Sequence, residues 1–188
     1  IIGGGHIGLH VARMGKGFEM NVLVSDPHPN PKLSKKIGFR YVKQPVLLKE
    51  SDVISLHVPY IKQTHHLINK QTLSKMKKGV YLINTSRGGI IDTNALIKAL
   101  KSGKVAGAAL DVLEGECEIK EEYSVLTDSF KATCDLKTIL QDHLLMKMNN
   151  VLITPHNAFN SGEAIQRILH TTLENVKSFL KGKKQNTV

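Results

Sequence analysis

Arg87, Glu116 and His156 are isolated polar residues that each lie just beyond a short uncharged run: Val80 to Asn84, Val105 to Leu110, and Val151 to Ile153. A guanidinium, a carboxylate and an imidazole together meet the needs of 2-keto acid reduction. That reaction requires a fixed cation for the substrate carboxylate, a hydride delivered to the carbonyl carbon and a proton delivered to its oxygen. Arg87 suits the first task, because its planar fork binds a carboxylate through two hydrogen bonds and can polarise the adjoining carbonyl. His156 suits the proton transfer: an unperturbed imidazole titrates near about pH 6.5, and an anionic Glu116 beside it would raise that value. Singly, each also fits a structural role: Arg87 as a helix cap or surface ion pair, Glu116 as part of an acidic loop, His156 as a buried, hydrogen-bonded histidine.

Such residues converge only if the runs before them are neighbouring strands. Short apolar runs without charge fit a parallel sheet, and ligands of open α/β sheets sit beyond the carboxyl ends of the strands. The chain opens on a second feature that uses the same edge. Gly3, Gly5 and Gly8 read G-x-G-x-x-G, followed by a helical pattern with Ile7, Val11, Ala12 and Met14. A second run, Asn21 to Ser25, ends at Asp26, 18 residues beyond Gly8. Glycines there permit a tight turn and close approach of backbone N–H groups to a pyrophosphate, and an acid at that spacing accepts from adenosine ribose hydroxyls. A plain glycine turn between strand and helix is the alternative. Asp26 would repel a 2′-phosphate, and Pro27 to Asn30 offer no arginine to hold one, so NAD is expected over NADP.

The remaining elements alternate strand and helix, the pattern of a doubly wound parallel sheet of the Rossmann type. Strands are expected to end near Ser25, Val42, His57, Asn84, Asp111 and Thr154. Helices are expected over Pro31 to Ile37, Gln71 to Lys77 and Thr93 to Ser102, the last opened by Asp92 and closed by Gly103. A final helix begins at Asn160, with Glu163 completing a capping box. Its stripe of Ile165, Ile168, Leu169, Leu173, Val176 and Leu180 reads as core packing. The stretch from Glu116 to Met148 carries its own helical pattern (Leu136, Ile139, Leu140, His143, Leu144) and reads as an elaborated crossover within one domain.

With 188 residues and 41% hydrophobic content, the chain can bury a substantial core. It shows neither a signal-peptide pattern nor an apolar run long enough to span a membrane, so a cytoplasmic location is expected. The net charge of +10 comes mostly from scattered lysines, with four arginines and few aromatics, which argues against nucleic-acid binding. Cys117 and Cys134 form no C-x-x-C pair, so neither a disulfide framework nor a zinc site is indicated. His65-His66 lacks a third ligand at a useful spacing, and both read as surface histidines. Glu114, Glu118, Glu121 and Glu122 around Glu116 read as a solvated acidic loop.

Four linked motifs carry a resemblance: Gly3-x-Gly5-x-x-Gly8, Asn84-Thr85-Ser86-Arg87-Gly88, Ala109 to Val112 leading to Glu116, and Thr154-Pro155-His156. In order and spacing they resemble the D-specific 2-hydroxyacid dehydrogenase family, over almost the whole chain. Glu114-Gly115-Glu116, the long insertion before Thr154, and Ala158-Phe159 look most like the D-lactate dehydrogenase branch. The resemblance implies that Arg87, Glu116 and His156 are catalytic and that the glycine loop, with His6 and Ile7, holds NAD. It further implies that Asp111 contacts the nicotinamide end and that His57, Val58, Pro59, Thr85 and Ser86 line the cofactor groove.

Family members carry a substrate-binding domain and a linking helix upstream of the glycine loop, whereas only Ile1 and Ile2 precede Gly3 here. The expected organisation is a cofactor domain over 1–180 and a tail over 181–188 that returns to a substrate domain, within a homodimeric enzyme acting on a small 2-keto or 2-hydroxy acid. A non-catalytic NAD-sensing or partner-binding module is the alternative. Retention of all three polar residues favours the enzyme, because a sensor needs only the groove.

Overall fold

A computed structural model describes residues 1–115 and 136–186. Glu116, Cys117, Cys134 and the acidic residues 118, 121 and 122 lie outside the described residues. Two compact units are present, Ile1–Pro155 and His156–Val188.

The first unit is built on parallel strands β1 (Leu23–Val24), β2 (Arg40–Tyr41), β3 (Val53–Leu56), β4 (Val80–Asn84), β5 (Val105–Leu110) and β6 (Val151–Ile153). β1 pairs with β2, and β3 to β6 follow one another in chain order. Ile2 joins the two groups, bridging in parallel to Ser25 on one side and Leu56 on the other. Its N–H donates to the Ser55 carbonyl at 2.9 Å, and its carbonyl accepts from the His57 N–H at 2.8 Å. The order in which successive strands are added thus reverses at Ile2, which places the glycine loop at the switch point, where ligands of such sheets bind.

Helices α1 (His6–Gly17), α2 (Pro31–Ile37), α3 (Gln44–Glu50), α4 (Lys70–Lys75), α5 (Thr93–Lys101) and α6 (Leu136–Met146) lie between the strands. Their ends follow local chemistry. Asn30 accepts from the Leu33 N–H ahead of Pro31, and Gly38, at φ 87°, stops α2. Asn69 and Thr72 form a capping box on α4, and Asp92 accepts from Ala95 at the start of α5. The strand ends and α2 fall where the sequence places them, and α4 and α5 differ from expectation only at their ends. α3 is not evident from sequence, because Val46-Leu47-Leu48 is too short to separate helix from strand. Pro45 in its first turn is the available signal.

The main core joins Leu47 and Leu48 of α3, Leu73 of α4 and Leu96 and Leu100 of α5 to Ile54, Leu56, Val80, Leu82 and Leu110 of the sheet. Burying each such side chain contributes about 1.5–3 kcal/mol. A smaller cluster of Ala12, Val24 and Phe39 seats α1 on β1 and β2. Burial of every strand on both faces does not hold: β4 alternates, with Val80, Leu82 and Asn84 buried but Tyr81 exposed, and Leu152 of β6 is also exposed. In α6 the buried face is Ile139, Asp142 and Leu145, whereas Leu136, Leu140 and Leu144 are exposed.

The second unit contains α7 (Gly162–Leu180). Its N-cap is Ser161, whose hydroxyl accepts from the Ala164 N–H at 3.2 Å, so the expected Asn160 start shifts by one residue. Taken by itself this unit leaves the expected core stripe exposed: Ile165, Ile168, Leu169, Leu173, Val176 and Leu180 are 39% to 78% exposed. Helical periodicity shows that a face is apolar but not what covers it, and the second unit is too small to supply a core of its own. Among the described residues, no helix is long and apolar enough to cross a membrane.

Candidate functional site

Gly3 has φ 98°, and a Cβ there would lie 2.2 Å from the His57 carbonyl oxygen. A Cβ at Gly8 would lie 1.9 Å from the Gly3 carbonyl oxygen. Both positions therefore exclude side chains by crowding within the protein. Gly5 differs, since a Cβ there would meet nothing within 4 Å. The room in front of Gly5 faces outward at the N-terminus of α1, whose first turn carries no acidic residue and whose N-cap forms no side-chain bond. That is a fit for an external anion such as a pyrophosphate, held by the N–H groups around His6 and Ile7.

Asp26 closes the other side of this loop. One carboxylate oxygen accepts from the Gly4 N–H at 2.6 Å and the other from the His28 N–H at 2.7 Å. Beside it lies an open depression of about 520 Å³ lined by Asp26, Pro27, Pro29, Tyr41, Lys43 and Gln44. Tyr41, Lys43 and Gln44 are contributed by β2 and the segment after it, which sequence spacing did not reveal. The Gln44 side-chain nitrogen is buried with no hydrogen-bond partner among the described residues.

His57, Val58 and Pro59 follow β3. The His57 Nε2 lies 2.8 Å from the Ser55 hydroxyl, and burial holds the imidazole below its ordinary pKa. Thr85, Ser86 and Arg87 follow β4 in a turn fixed by Asn84, a side chain with no exposed surface. The Asn84 side-chain Oδ1 accepts from the Ser86 N–H at 3.0 Å, and its Nδ2 donates to the Arg87 backbone carbonyl at 2.9 Å. The Ser86 hydroxyl donates to the Leu56 carbonyl at 2.7 Å, tying the turn to β3. Arg87 itself is exposed, with Nη1 donating to the Ser86 carbonyl at 2.7 Å. Its guanidinium thus has further donors for a ligand carboxylate.

Asp111, after β5, is 5% exposed. Its N–H donates to the Asn84 carbonyl at 2.9 Å, and its carboxylate accepts from the Thr154 hydroxyl at 2.5 Å. The carboxyl edge is therefore continuous within the first unit: Asp26 to Gly4, Gly3 to His57, Ser86 to Leu56, Asn84 to Asp111, Asp111 to Thr154. Two sequence readings need correction here. Glu114 is no solvated loop residue: Oε1 lies 2.5 Å from His66 Nε2, and Oε2 accepts from the Thr93 N–H at 3.1 Å. His66 is correspondingly half-buried, and only His65 is a surface histidine. Residues 66 and 114 are far apart in sequence, and no spacing rule links them.

His156 belongs to the second unit, where it has φ 49° and packs edge-on to Phe159 with ring centroids 6.0 Å apart. Glu116 lies outside the described residues, so its place relative to Arg87 stays an expectation from sequence. Among the described residues no cluster of three or more His, Cys, Asp or Glu is arranged to hold a metal ion.

Comparison with known proteins gives a consistent result. The model of the D-isomer specific 2-hydroxyacid dehydrogenase, NAD binding domain, family matches residues 1–158. A 2-hydroxyacid dehydrogenase homolog of Zymomonas mobilis is 42% identical over 187 residues, covering 97% of this chain and 53% of that protein. A glyoxylate reductase of Thermococcus litoralis is 41% identical over 182 residues, covering 97% of this chain and 48% of its own length. Among solved structures, a D-lactate dehydrogenase from Aquifex aeolicus complexed with NAD and lactic acid is 45% identical. It superposes with a TM-score of 0.82 and covers 96% of this chain and 52% of that one. The chain spans about half the length of the curated relatives it matches.

Proposed function

The chain belongs to the D-isomer specific 2-hydroxyacid dehydrogenase family, and on that premise we propose that it is the cofactor-binding part of an NAD-dependent enzyme interconverting a 2-keto acid and a D-2-hydroxy acid. The observation that carries this reading is the cradle at Gly3, Gly5 and Gly8 with Asp26 bonded across it to Gly4. Bound NADH supplies the hydride for the keto carbon. The protein supplies the rest. Gly5 and the first turn of α1 receive the pyrophosphate, and Asp26 accepts from the ribose hydroxyls while its other lone pairs hold the loop. His57, Val58, Pro59, Thr85 and Ser86 form the groove wall, and Asp111 stands at the nicotinamide end.

Arg87 anchors the substrate carboxylate and polarises the adjoining carbonyl. His156 donates the proton to the carbonyl oxygen as the acid, with Glu116 as its carboxylate partner. Pyruvate and D-lactate are the best-fitting pair, on the sequence pattern Glu114-Gly115-Glu116 and Ala158-Phe159 and on relatives that include a D-lactate dehydrogenase. Selectivity is shared with a second, substrate-binding domain in the complete enzyme, which we take to be a dimer. An NAD-sensing module would need neither Arg87 nor His156. Reduction of pyruvate and glyoxylate by the complete enzyme, followed through NADH absorbance with chiral analysis of product, tests the reading. A lack of turnover on any 2-keto acid, or an L-hydroxy acid product, overturns it.

A further inference from the structure

The turn that carries Arg87 continues into a single 3-10 turn, Gly88–Ile90, and two other segments grip it. On one side, the His66 N–H donates to the Gly89 carbonyl at 2.9 Å, and the Ile68 N–H donates to the Ile90 carbonyl at 3.0 Å. On the other side lies the backbone of Leu113 and Glu114. A Cβ at Gly88 would fall 1.9 Å from the Leu113 carbonyl oxygen, so the two backbones touch. The gripping segments are joined by side chains. His66 Nε2 meets Glu114 Oε1 at 2.5 Å, and Glu114 Oε2 accepts from the Thr93 N–H, the first residue of α5, at 3.1 Å. One carboxylate therefore ties together residue 66, the end of the Arg87 turn and its own loop.

Both ends of the His66–Glu114 contact are themselves fixed. Next to Glu114, the Gly115 N–H donates to a carboxylate oxygen of the fully buried Asp142 at 2.9 Å. The His66 ring stacks on His65 at 3.9 Å, and His65 Nδ1 lies 2.9 Å from the Tyr60 hydroxyl. The Tyr60 ring in turn occupies the space over Gly89, where a Cβ would lie 2.8 Å away. His66 has φ 47°, in the left-handed region that few residues other than glycine adopt. α5 already has its N-cap in Asp92, so Glu114 is not needed as the cap side chain.

We infer that His66 and Glu114 are positioning residues that clasp the Arg87 turn and so set the direction of the carboxylate anchor. The inference rests on the proposed role of Arg87. A short, charge-assisted bond between two half-buried side chains holds geometry better than apolar contact, because it is directional. Opening the clasp frees Gly88 and Gly89 and lets the guanidinium wander, while the glycine loop and Asp26 stay as they are. The loss is therefore confined to the keto acid.

The test is steady-state reduction of pyruvate by NADH with the complete enzyme, alongside NADH titration by fluorescence. Glu114→Gln and His66→Leu should each raise the pyruvate KM by about tenfold or more with the NADH Kd unchanged within about twofold, whereas His66→Gln, which keeps an amide donor, should recover most of the loss. In an Arg87→Ala background, Glu114→Gln should add less than about twofold, because the two changes act through one contact. An unchanged KM in both clasp variants, or a rise that is as large without Arg87 as with it, overturns the inference. So does a parallel loss of NADH binding, which marks general damage. The two proposals fail separately: unaltered enzyme that reduces no 2-keto acid, or Arg87→Ala with a normal KM, defeats the function assigned above and the clasp with it. A working Arg87 with indifferent clasp variants defeats the clasp alone.

Discussion

The Asp26 carboxylate accepts a 2.6 Å hydrogen bond from the Gly4 N–H, joining the end of β1 to the middle of the glycine loop. The acid that would read the ribose is thus also a strut of the phosphate loop. Its negative charge is fixed in place before any ligand arrives, so a 2′-phosphate meets a preformed anion. Lys43 lines the same depression and would soften that repulsion only in part. NADH should bind ahead of NADPH, and Asp26→Ser should narrow the gap while weakening both, because the loop loses its strut. Equal affinities for the two coenzymes in the unaltered protein would remove Asp26 from this role.

Asn84 should matter for stability as well as for the site. Asn84→Ala removes the side-chain partner of the Ser86 N–H and of the Arg87 carbonyl, two part-buried hydrogen bonds, at a cost of about 0.5–1.5 kcal/mol for each. The urea midpoint should fall with an unchanged m-value. A midpoint equal to that of the parent would mean that the turn is held by Ser86 and Leu56 alone.

His57 gives a pH dependence. Burial holds its pKa below the ordinary 6.5 in the folded chain, so between that lowered value and about 6.5 the unfolded chain binds more protons. Stability is fully present above about pH 6.5 and declines as pH falls through this window. Thermal melting from pH 7.5 to 5 should show the decline, and His57→Gln, which keeps a polar partner for Ser55, should flatten it. Parallel curves for the two proteins would trace the effect to other groups.

The proposed catalytic trio separates kinetically in the complete enzyme. His156→Gln should lower kcat with NADH affinity intact, while Arg87→Ala should also raise the keto-acid KM. Glu116→Gln should lower kcat in the same way as His156→Gln, with NADH affinity intact. A kcat equal to that of the parent would assign Glu116 to the acidic loop.

The 188-residue chain by itself should bind NADH yet reduce pyruvate slowly or not at all. Loop, Asp26 and groove all lie within it, but hydride transfer needs the ketone held in near-attack geometry away from water. A single exposed charged contact such as Arg87 with a carboxylate is worth only about 1 kcal/mol. Turnover at an ordinary dehydrogenase rate from this chain would show that no second domain is required.

Local patterns are legible in the sequence alone. Gly3, Gly5 and Gly8 with Asp26 announced the nucleotide edge, and the uncharged runs ending at Asn84 and Leu110 announced parallel strands, because periodicity and glycine spacing are short-range properties of the chain. The cap at Asp92 was legible for the same reason. The apolar stripe of α7 is legible as helical, but amphipathicity leaves its covering partner unspecified. Only the tertiary structure decided the long-range pairings. Glu114 with His66, Asp142 with Gly115, Asp111 with Thr154, and Tyr41 and Lys43 beside Asp26 depend on strand order and loop path, which bring together residues whose sequence separation carries no signal. A glutamate in an acidic stretch and a histidine in a surface pair gave no hint of each other, because each found its partner only once β4 and β5 lay side by side.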